Sequence, residues 1–170
     1  MWWCSFRGAA AACLLAAALS ACGFHLRGPH QIPFETMVLN FPANSPLGTE
    51  LARNIRAGSE TRIVKDASQA DAVLDLLSEA RDRQVLTLNS QGRAVEYQLH
   101  YRLRFRLRDR AGLELIEPTE LHAQRDISFN DTQVLSKESE ETLLYRDMQT
   151  DLVQQLLRRI EAVRPHAAAG

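Results

Sequence analysis

Cysteine is scarce in this sequence and absent from most of it. Its three cysteines, Cys4, Cys13 and Cys22, all lie within the first 22 of 170 residues. The chain after Cys22 therefore offers neither a disulfide pair nor a thiolate metal site. The five histidines are isolated from one another, without the spacing of a ligand set. We predict no metal site and no cofactor.

Catalytic signatures are missing as well. The chain contains no H-E-x-x-H, no G-x-S-x-G and no phosphate-binding glycine loop. His100 stands on the polar side of a predicted strand, where a solvated histidine is the ordinary case. A hydrolase would need a strongly perturbed acid or base, and no such residue is indicated. We interpret the protein as a binding or assembly module rather than an enzyme.

A long apolar run is also lacking. The run Ala9–Leu19 is shorter than the roughly 20 residues that cross a bilayer. With Arg7 before it, it predicts a signal peptide over residues 1–21. The "LSAC" that ends at Cys22 resembles the lipobox of bacterial lipoproteins, so Cys22 is predicted to carry the acyl chains, palmitate among them, that anchor the mature chain in a membrane. The alternative is a general signal-peptidase site that leaves Cys22 a free thiol.

Charge is balanced overall but not along the chain. The formal net charge is −1. Residues 81–110 are rich in arginine, whereas residues 114–141 are rich in acids. This polarity predicts either an anion-attracting surface or a ladder of internal ion pairs.

The mature chain reads as one folded domain. Residues 97–108 alternate apolar and polar side chains, which predicts a half-buried strand, and glycine turns flank it at Gly92 and Gly112. Further strands are expected at 36–41, at 72–88 with a bulge, and at 113–129, and residues 61–66 are a candidate for one more short strand, followed by a loop at 67–71.

Helix signals complete the fold prediction. Ser45 followed by Pro46 predicts a helix that ends near Gly58, and Ser136 is predicted to cap a final helix that Pro165 stops. We therefore predict a single two-layer α+β domain of order β-α-β-β-β-α, with an about four-stranded, mostly antiparallel sheet and two helices on one face. The predicted boundaries are a signal peptide at 1–21, a tether at 22–35, the domain at 36–164 and a disordered tail at 165–170.

The polar side of the central strand carries a row of four arginines: Arg102, Arg104, Arg106 and Arg108. One interpretation is an internal ion-pair ladder that stabilises an exposed face. A second, nucleic acid, is disfavoured because the lipobox directs the chain elsewhere and the row lacks stacking aromatics. A third is an anionic partner, either a phosphorylated glycolipid or a protein wall.

The hairpin register predicts partners for half of this row. A three-residue loop places Arg108 opposite Glu114 and, by the same count, Arg102 opposite Glu120. The two middle arginines then face Ile116 and Pro118, without a carboxylate.

Five segments carry a family resemblance. They are "LSACGFHLRG", "MVLNF", "PLGTELARNIR", "GRAVEYQLHYRLRFRL" and "VLSKESEETLLYRDMQTDLVQQLLRRI", in that order. Together they resemble the LPS-assembly lipoprotein family LptE, and "CGFHLRG" and "AVEYQL" are the most specific parts.

The resemblance implies a function without catalysis. It implies an outer-membrane lipoprotein, lipid-anchored and periplasm-facing, that sits as a plug inside the lumen of the LptD β-barrel. It would form a heterodimer with that barrel, assist its assembly and contact lipopolysaccharide during transport to the cell surface. The row Arg102–Arg108 would then face the barrel lumen, with Arg104 and Arg106 meeting acidic barrel or glycolipid groups. The alternative is an accessory lipoprotein of another outer-membrane assembly machine.

The resemblance also implies lipopolysaccharide-binding residues. In the family, a basic residue in the loop before the "EYQ" strand and a lysine shortly before the last helix are associated with this binding. The lysine falls on Lys137. The loop reads "NSQGR", with Ser90 near the matching position and Arg93 displaced past the glycine. Lys137 and Arg93 are therefore the candidates, and the alternative for Lys137 is an ordinary solvated lysine.

Overall fold

The computed structural model describes residues 31–129 and 134–164. Its elements are β1 (Thr36–Asn40), α1 (Pro46–Gly58), β2 (Arg62–Ile63), β3 (Ala72–Leu88), β4 (Ala94–Asp109), β5 (Glu114–Ser128) and α2 (Val134–Glu161), with a short 3₁₀ turn at Ala67–Gln69. The predicted signal peptide, Cys22, most of the predicted tether and the predicted tail lie outside the described residues. Within these ranges, neither helix is both long and apolar enough to cross a membrane.

The strands form one mixed sheet in the order β2-β1-β3-β4-β5. β1 runs parallel to both of its neighbours, whereas β3, β4 and β5 form an antiparallel meander. The predicted α+β class is confirmed. The sheet has five strands rather than about four because Arg62–Ile63 pairs with β1.

The core lies between one face of the sheet and both helices. The apolar side chains of β4 that the alternation placed on one side are fully buried from Leu99 to Leu107. They pack against buried stripes of the two helices, formed by Leu47, Leu51 and Ile55 of α1 and by Met148, Leu152, Leu156 and Ile160 of α2. Removing apolar surface from water, at about 25 cal/mol per Å², is what holds the two layers together. Phe34, two residues before β1, is also part of this core.

The two helices begin differently from one another. The Ser45 Oγ accepts a hydrogen bond of 3.0 Å from the Gly48 N–H, and Pro46 occupies the first turn, which confirms the predicted cap of α1. The prediction that Ser136 caps α2 is wrong, because that helix already begins at Val134. Ser136 is exposed inside the first turn, where a solvated serine costs a helix only a few tenths of a kcal/mol.

Bulges interrupt the long strands. The predicted bulge in β3 is confirmed, since its register against β4 shifts between Leu76 and Ser78 and again after Val85. β5 contains two further shifts, one between Thr119 and Ile116, across Pro118, whose ring nitrogen cannot donate to a ladder, and one between Ile116 and Glu114. The turns hold Gly92 at φ 74° and Gly112 at φ 89°, a region that glycine adopts without strain.

Candidate functional site

The candidate site is the side of β3, β4 and β5 that faces away from the helices, which we call the open face. β4 contributes Gln98, His100, Arg102, Arg104, Arg106 and Arg108. β3 places Asp75, Ser78, Ala80 and Asp82 beside them, and β5 adds Glu114, Glu120, His122 and Gln124. Directly paired residues share a face of the sheet, so these side chains form one polar surface.

A buried carboxylate organises one end of the open face. The Asp75 side chain is only 7% exposed and accepts hydrogen bonds from Arg106 Nε and Arg108 Nε, each at 2.9 Å. Asn40 Nδ2 donates a third bond at 3.0 Å. Burial raises the pKa of this carboxyl, but the bonds from Asn40, Arg108 and Arg106 outweigh burial, and the pKa is lowered from 3.8. Two arginines of the row are thus anchored internally.

The prediction that Arg106 lacks a carboxylate is wrong. Besides Asp75, Arg106 reaches Glu114, with Nη1 3.5 Å from its Oε1. Pairing of Arg108 with Glu114 across the strands is confirmed, but the ion pair of Arg108 is with Asp75 on the other neighbouring strand. The sequence could not show this, because a strand flanked on both sides has two sets of cross-strand neighbours.

The prediction for Arg102 is also wrong. Its Nη2 lies 2.6 Å from Asp82 Oδ1, while the residue opposite it on β5 is His122. The two bulges around Pro118 shift β5 by two residues, so Glu120 stands opposite Arg104 instead. A two-residue shift keeps every side chain on its original face, which is why the row remains on the open face.

Arg104 differs from the rest of the row. Its side chain is exposed, and within residues 31–129 and 134–164 it has neither a hydrogen bond nor an ion pair, although Glu120 is its cross-strand neighbour. Its guanidinium is available to an outside acceptor.

The two predicted lipopolysaccharide-binding residues lie at the opposite end of the sheet from Asp75. Lys137 Nζ contacts Ser128 Oγ at 3.4 Å, and Ser128 pairs with Glu96, three residues after Arg93. The structure therefore brings Lys137 and Arg93 to the same end. Lys137 is only 14% exposed and forms an ion pair of 2.7 Å with Glu140.

Sequence reasoning missed a polar network under the helices. The Tyr101 hydroxyl donates to Glu79 Oε1 at 2.5 Å and accepts from Arg81 Nη2 at 2.8 Å. Arg81 also donates to Gln149, which donates in turn to the buried Glu50 at 2.7 Å. Burial is the main reason why the pKa of Tyr101 is raised. One feature of the sequence could have indicated this network: Glu50 is a charged residue on the apolar stripe of α1.

The described part of the chain shows no constellation for catalysis. No group of three or more His, Cys, Asp or Glu side chains in it could hold a metal ion. A groove of about 560 Å³ between the start of β5 and the end of α2 is lined by apolar residues, including Leu113, Ile116 and Val163, and by charged ones such as Arg159. Among the described residues, the row of ion-paired arginines lies on the open face.

Fold and site together define a class: a small α+β domain with two helices on one face of the sheet and charged side chains on the other. Two solved structures share the architecture. The solution NMR structure of an uncharacterized lipoprotein B from Nitrosomonas europaea is similar with a TM-score of 0.72 and 37% identity, over 82% of this chain and 91% of that one. A minor lipoprotein from Acinetobacter baumannii is similar with a TM-score of 0.61 and 29% identity, over 75% of this chain and 91% of that one.

Sequence comparison identifies the family. Residues 34–160 match the model described as LptE, Lipopolysaccharide-assembly. The LPS-assembly lipoprotein LptE of Pectobacterium atrosepticum is 30% identical over 144 residues, which cover 83% of this chain and 77% of the relative. This chain belongs to the LptE family of lipopolysaccharide-assembly proteins. Proteins of this family are non-enzymatic components of lipopolysaccharide assembly. Membership in the family is consistent with an outer-membrane location.

Proposed function

We propose that this protein is an outer-membrane lipoprotein, anchored through Cys22, that plugs an LptD-type β-barrel as one half of a heterodimer. In this role it assists assembly of the barrel and contacts lipopolysaccharide on its way to the cell surface. Support comes from membership in the family and from relatives that bear the name LPS-assembly lipoprotein.

The open face is the observation that carries this proposal. It is a broad polar surface that no helix of the described chain covers, backed by a fully buried core. The lumen of a large outer-membrane barrel is polar, so a plug needs a surface of this kind to face it. Three of the four arginines are held by Asp75 and Asp82. These ion pairs orient the surface before a partner arrives, which reduces the entropy lost on binding.

Arg104 is the contact residue that the geometry favours. Its guanidinium is exposed and unpaired in the described structure, between anchored arginines on either side. A planar guanidinium binds a carboxylate or a phosphate through two parallel hydrogen bonds, so an acidic group of the barrel or of the glycolipid is the expected acceptor.

Lys137 and Arg93 are the proposed glycolipid contacts. Both lie at the end of the sheet where β3 turns into β4. Lys137 is engaged with Glu140, so a lipid phosphate must replace that carboxylate. A phosphate carries more charge than a carboxylate and offers more acceptor oxygens, so it can compete with Glu140 for the Lys137 ammonium.

Capture from membranes tests the partner. Outer membranes are solubilised in mild detergent, a C-terminally tagged form of the protein is isolated, and whatever is recovered in near-equal amount is identified. One large LptD-type β-barrel would support the proposal. Recovery with a different complex would favour the accessory lipoprotein of another assembly machine, and recovery alone would contradict a stable heterodimer.

Charge reversal tests the role of Arg104. Arg104→Glu should weaken association with the barrel about tenfold, which corresponds to 1.4 kcal/mol. Arg53→Glu, on the exposed side of α1, changes the net charge equally and should leave association unchanged. Equal association of both variants with the barrel would remove the open face from the proposed interface.

Glycolipid binding is tested with purified protein and lipopolysaccharide. Lys137→Ala should reduce binding, whereas Glu140→Ala removes the competing carboxylate and should maintain or increase it. If Lys137→Ala binds lipopolysaccharide like the wild type, Lys137 is a structural residue and the proposed contact is wrong.

A further inference from the structure

The far half of β3 has a free edge. β1 covers β3 only along Ala72–Asp75, so on that side the strand from Leu76 to Leu88 has no partner among the described residues. β1 ends at Asn40 because Pro42 follows and the chain turns toward α1, with the Ser45 N–H donating to the Pro42 carbonyl at 2.9 Å. The place beside this half-strand therefore lies open.

The hydrogen-bond pattern shows which backbone groups point to the free edge. The Asp109 N–H donates to the carbonyl of Leu113, the residue before β5, at 2.9 Å, and the Val95 carbonyl accepts from the N–H of Phe129, the residue after β5, at 2.8 Å. Odd-numbered residues of β4 therefore face β5, and even-numbered residues face β3. Since Ala80 pairs with Arg102 and Asp82 with His100, these two residues of β3 bond to β4. The N–H and C=O groups of Glu79, Arg81 and Arg83 consequently point outward.

Apolar side chains accumulate along the same segment. Six large apolar side chains are exposed in the described part of the chain, and four of them are in this half of β3: Leu77 (41%), Val85 (45%), Leu86 (45%) and Leu88 (59%). A row of unpaired backbone groups beside exposed apolar side chains is the surface to which another strand adds.

Charges and bulges in the middle of this edge disfavour non-specific pairing with another strand. Arg81, Asp82 and Arg83 supply charges there, and bulges flank the segment on both sides. A second copy that overlapped the whole edge antiparallel would set Arg81 against Arg83 and Asp82 against itself. Like charges directly opposite each other destabilise a strand pair, so a different chain fits this edge better.

We propose that an extended segment of the barrel partner adds to this edge as a sixth strand beside β3. This inference rests on the proposed function, which supplies the barrel. The wall strands of a closed barrel are already paired on both sides, so the added segment must come from one of its loops. Its backbone would bond to Glu79, Arg81 and Arg83, and its apolar side chains would cover Leu86 and Leu88.

A proline substitution separates the contribution of an outward-pointing backbone N–H to barrel association from the contribution of the side chain. Arg83→Pro removes an N–H that points to the free edge and leaves the bonds between β3 and β4 in place. Arg83→Ala loses the same side chain, including its 3.3 Å ion pair with Glu141, but keeps the N–H. Arg83→Pro should associate with the barrel at least tenfold more weakly than Arg83→Ala. Gln84→Pro removes an N–H that points to β4 and should unfold the hairpin. This variant shows how a loss of folding appears in the same association assay.

Hydrogen exchange of the wild-type complex provides a readout that needs no variant. Backbone amides of residues 79–88 are compared between the free protein and the purified complex with the barrel. Slower exchange in the complex is expected at Glu79, Arg81 and Arg83, whose amides face solvent in the free protein. Unchanged exchange would overturn the strand addition, even if Arg83→Pro proved too unstable to assay.

The outcomes separate this inference from the proposed function. If the wild type captures no barrel, the proposed function fails and the barrel is excluded as the occupant. If the barrel is captured while the edge amides stay unprotected, only the strand addition fails. Protection that appears in the protein alone and grows with its concentration would identify a second copy as the occupant, which also overturns the proposal.

Discussion

Replacing Asp75 with asparagine should destabilise the protein strongly, although the substitution preserves volume. The Asp75 carboxylate is 7% exposed and accepts charge-assisted bonds from Arg106 and Arg108. Such bonds contribute about 1.5–3 kcal/mol each in buried settings. The arginines are 38% and 29% exposed, so solvent screens the pair and the lower end of that range applies. We expect the free energy of unfolding to fall by about 3 kcal/mol.

The effect should depend on pH in one direction. Because the pKa of Asp75 is lowered from 3.8 in the folded protein, the unfolded chain binds more protons in acid. The stabilisation is therefore complete well above pH 3.8 and is lost as the pH falls through the folded value. The difference in unfolding free energy between wild type and Asp75→Asn should be constant near neutral pH and shrink below about pH 4.

Urea unfolding of the mature protein in detergent, followed by circular dichroism, measures this difference. Thermal unfolding provides a second measure. At about 2–4 °C per kcal/mol for a chain of this size, the melting temperature should fall by about 6–12 °C. Asp82→Asn is the matched control, since its 2.6 Å pair with Arg102 is shorter but its side chain is 44% exposed. We expect the control to cost less than about 1 kcal/mol. Equal losses in the two variants would refute the argument that burial, rather than distance, decides the value of these ion pairs.

Three further predictions concern the core. Tyr101→Phe removes two hydrogen bonds and should lower the free energy of unfolding, measured in urea, by about 1–2 kcal/mol. Tyr145→Phe removes one bond of 3.0 Å and should cost less, and the reverse order would contradict the network. Gly48→Ala places a methyl group 2.9 Å from the Phe41 Cβ and should lower the melting temperature despite the helix preference for alanine, and the same change should cost much less in a Phe41→Gly background, which lacks that Cβ. Glu50→Gln puts an amide N–H against donors that now point at a carboxylate and should cost about 1–3 kcal/mol, measured by the same unfolding curves.

Local signals in the sequence were sufficient for much of the fold. The alternation from Tyr97 to Arg108 predicts β4 and its buried side because strand side chains alternate strictly between two faces. The Ser45-Pro46 cap and the two turn glycines are likewise properties of a few adjacent residues. The two-residue strand Arg62–Ile63 has a weaker signal in the sequence. It is a strand only because it pairs with β1, so the assembled sheet was needed to establish it.

The composition of the open face was only half predictable. That the arginines share one face follows from the period of a strand, and every bulge pattern that shifts the register by two preserves it. Which carboxylate each arginine meets does not follow. Asp75 and Asp82 come from β3, 20 to 33 residues before the arginines that they bind, and the bulges in the β3–β4 hairpin break a simple count from the turn.

By itself, then, the sequence determined both helices and the long strands, which sides of them are apolar, and that four arginines point the same way, because these are consequences of local backbone geometry and of the period of apolar residues. Tertiary structure alone decided that Arg106 is satisfied while Arg104 is not, and that half of β3 has a free edge. Those outcomes depend on bulges and on strand neighbours distant in the chain, so they exist only once the sheet has been assembled.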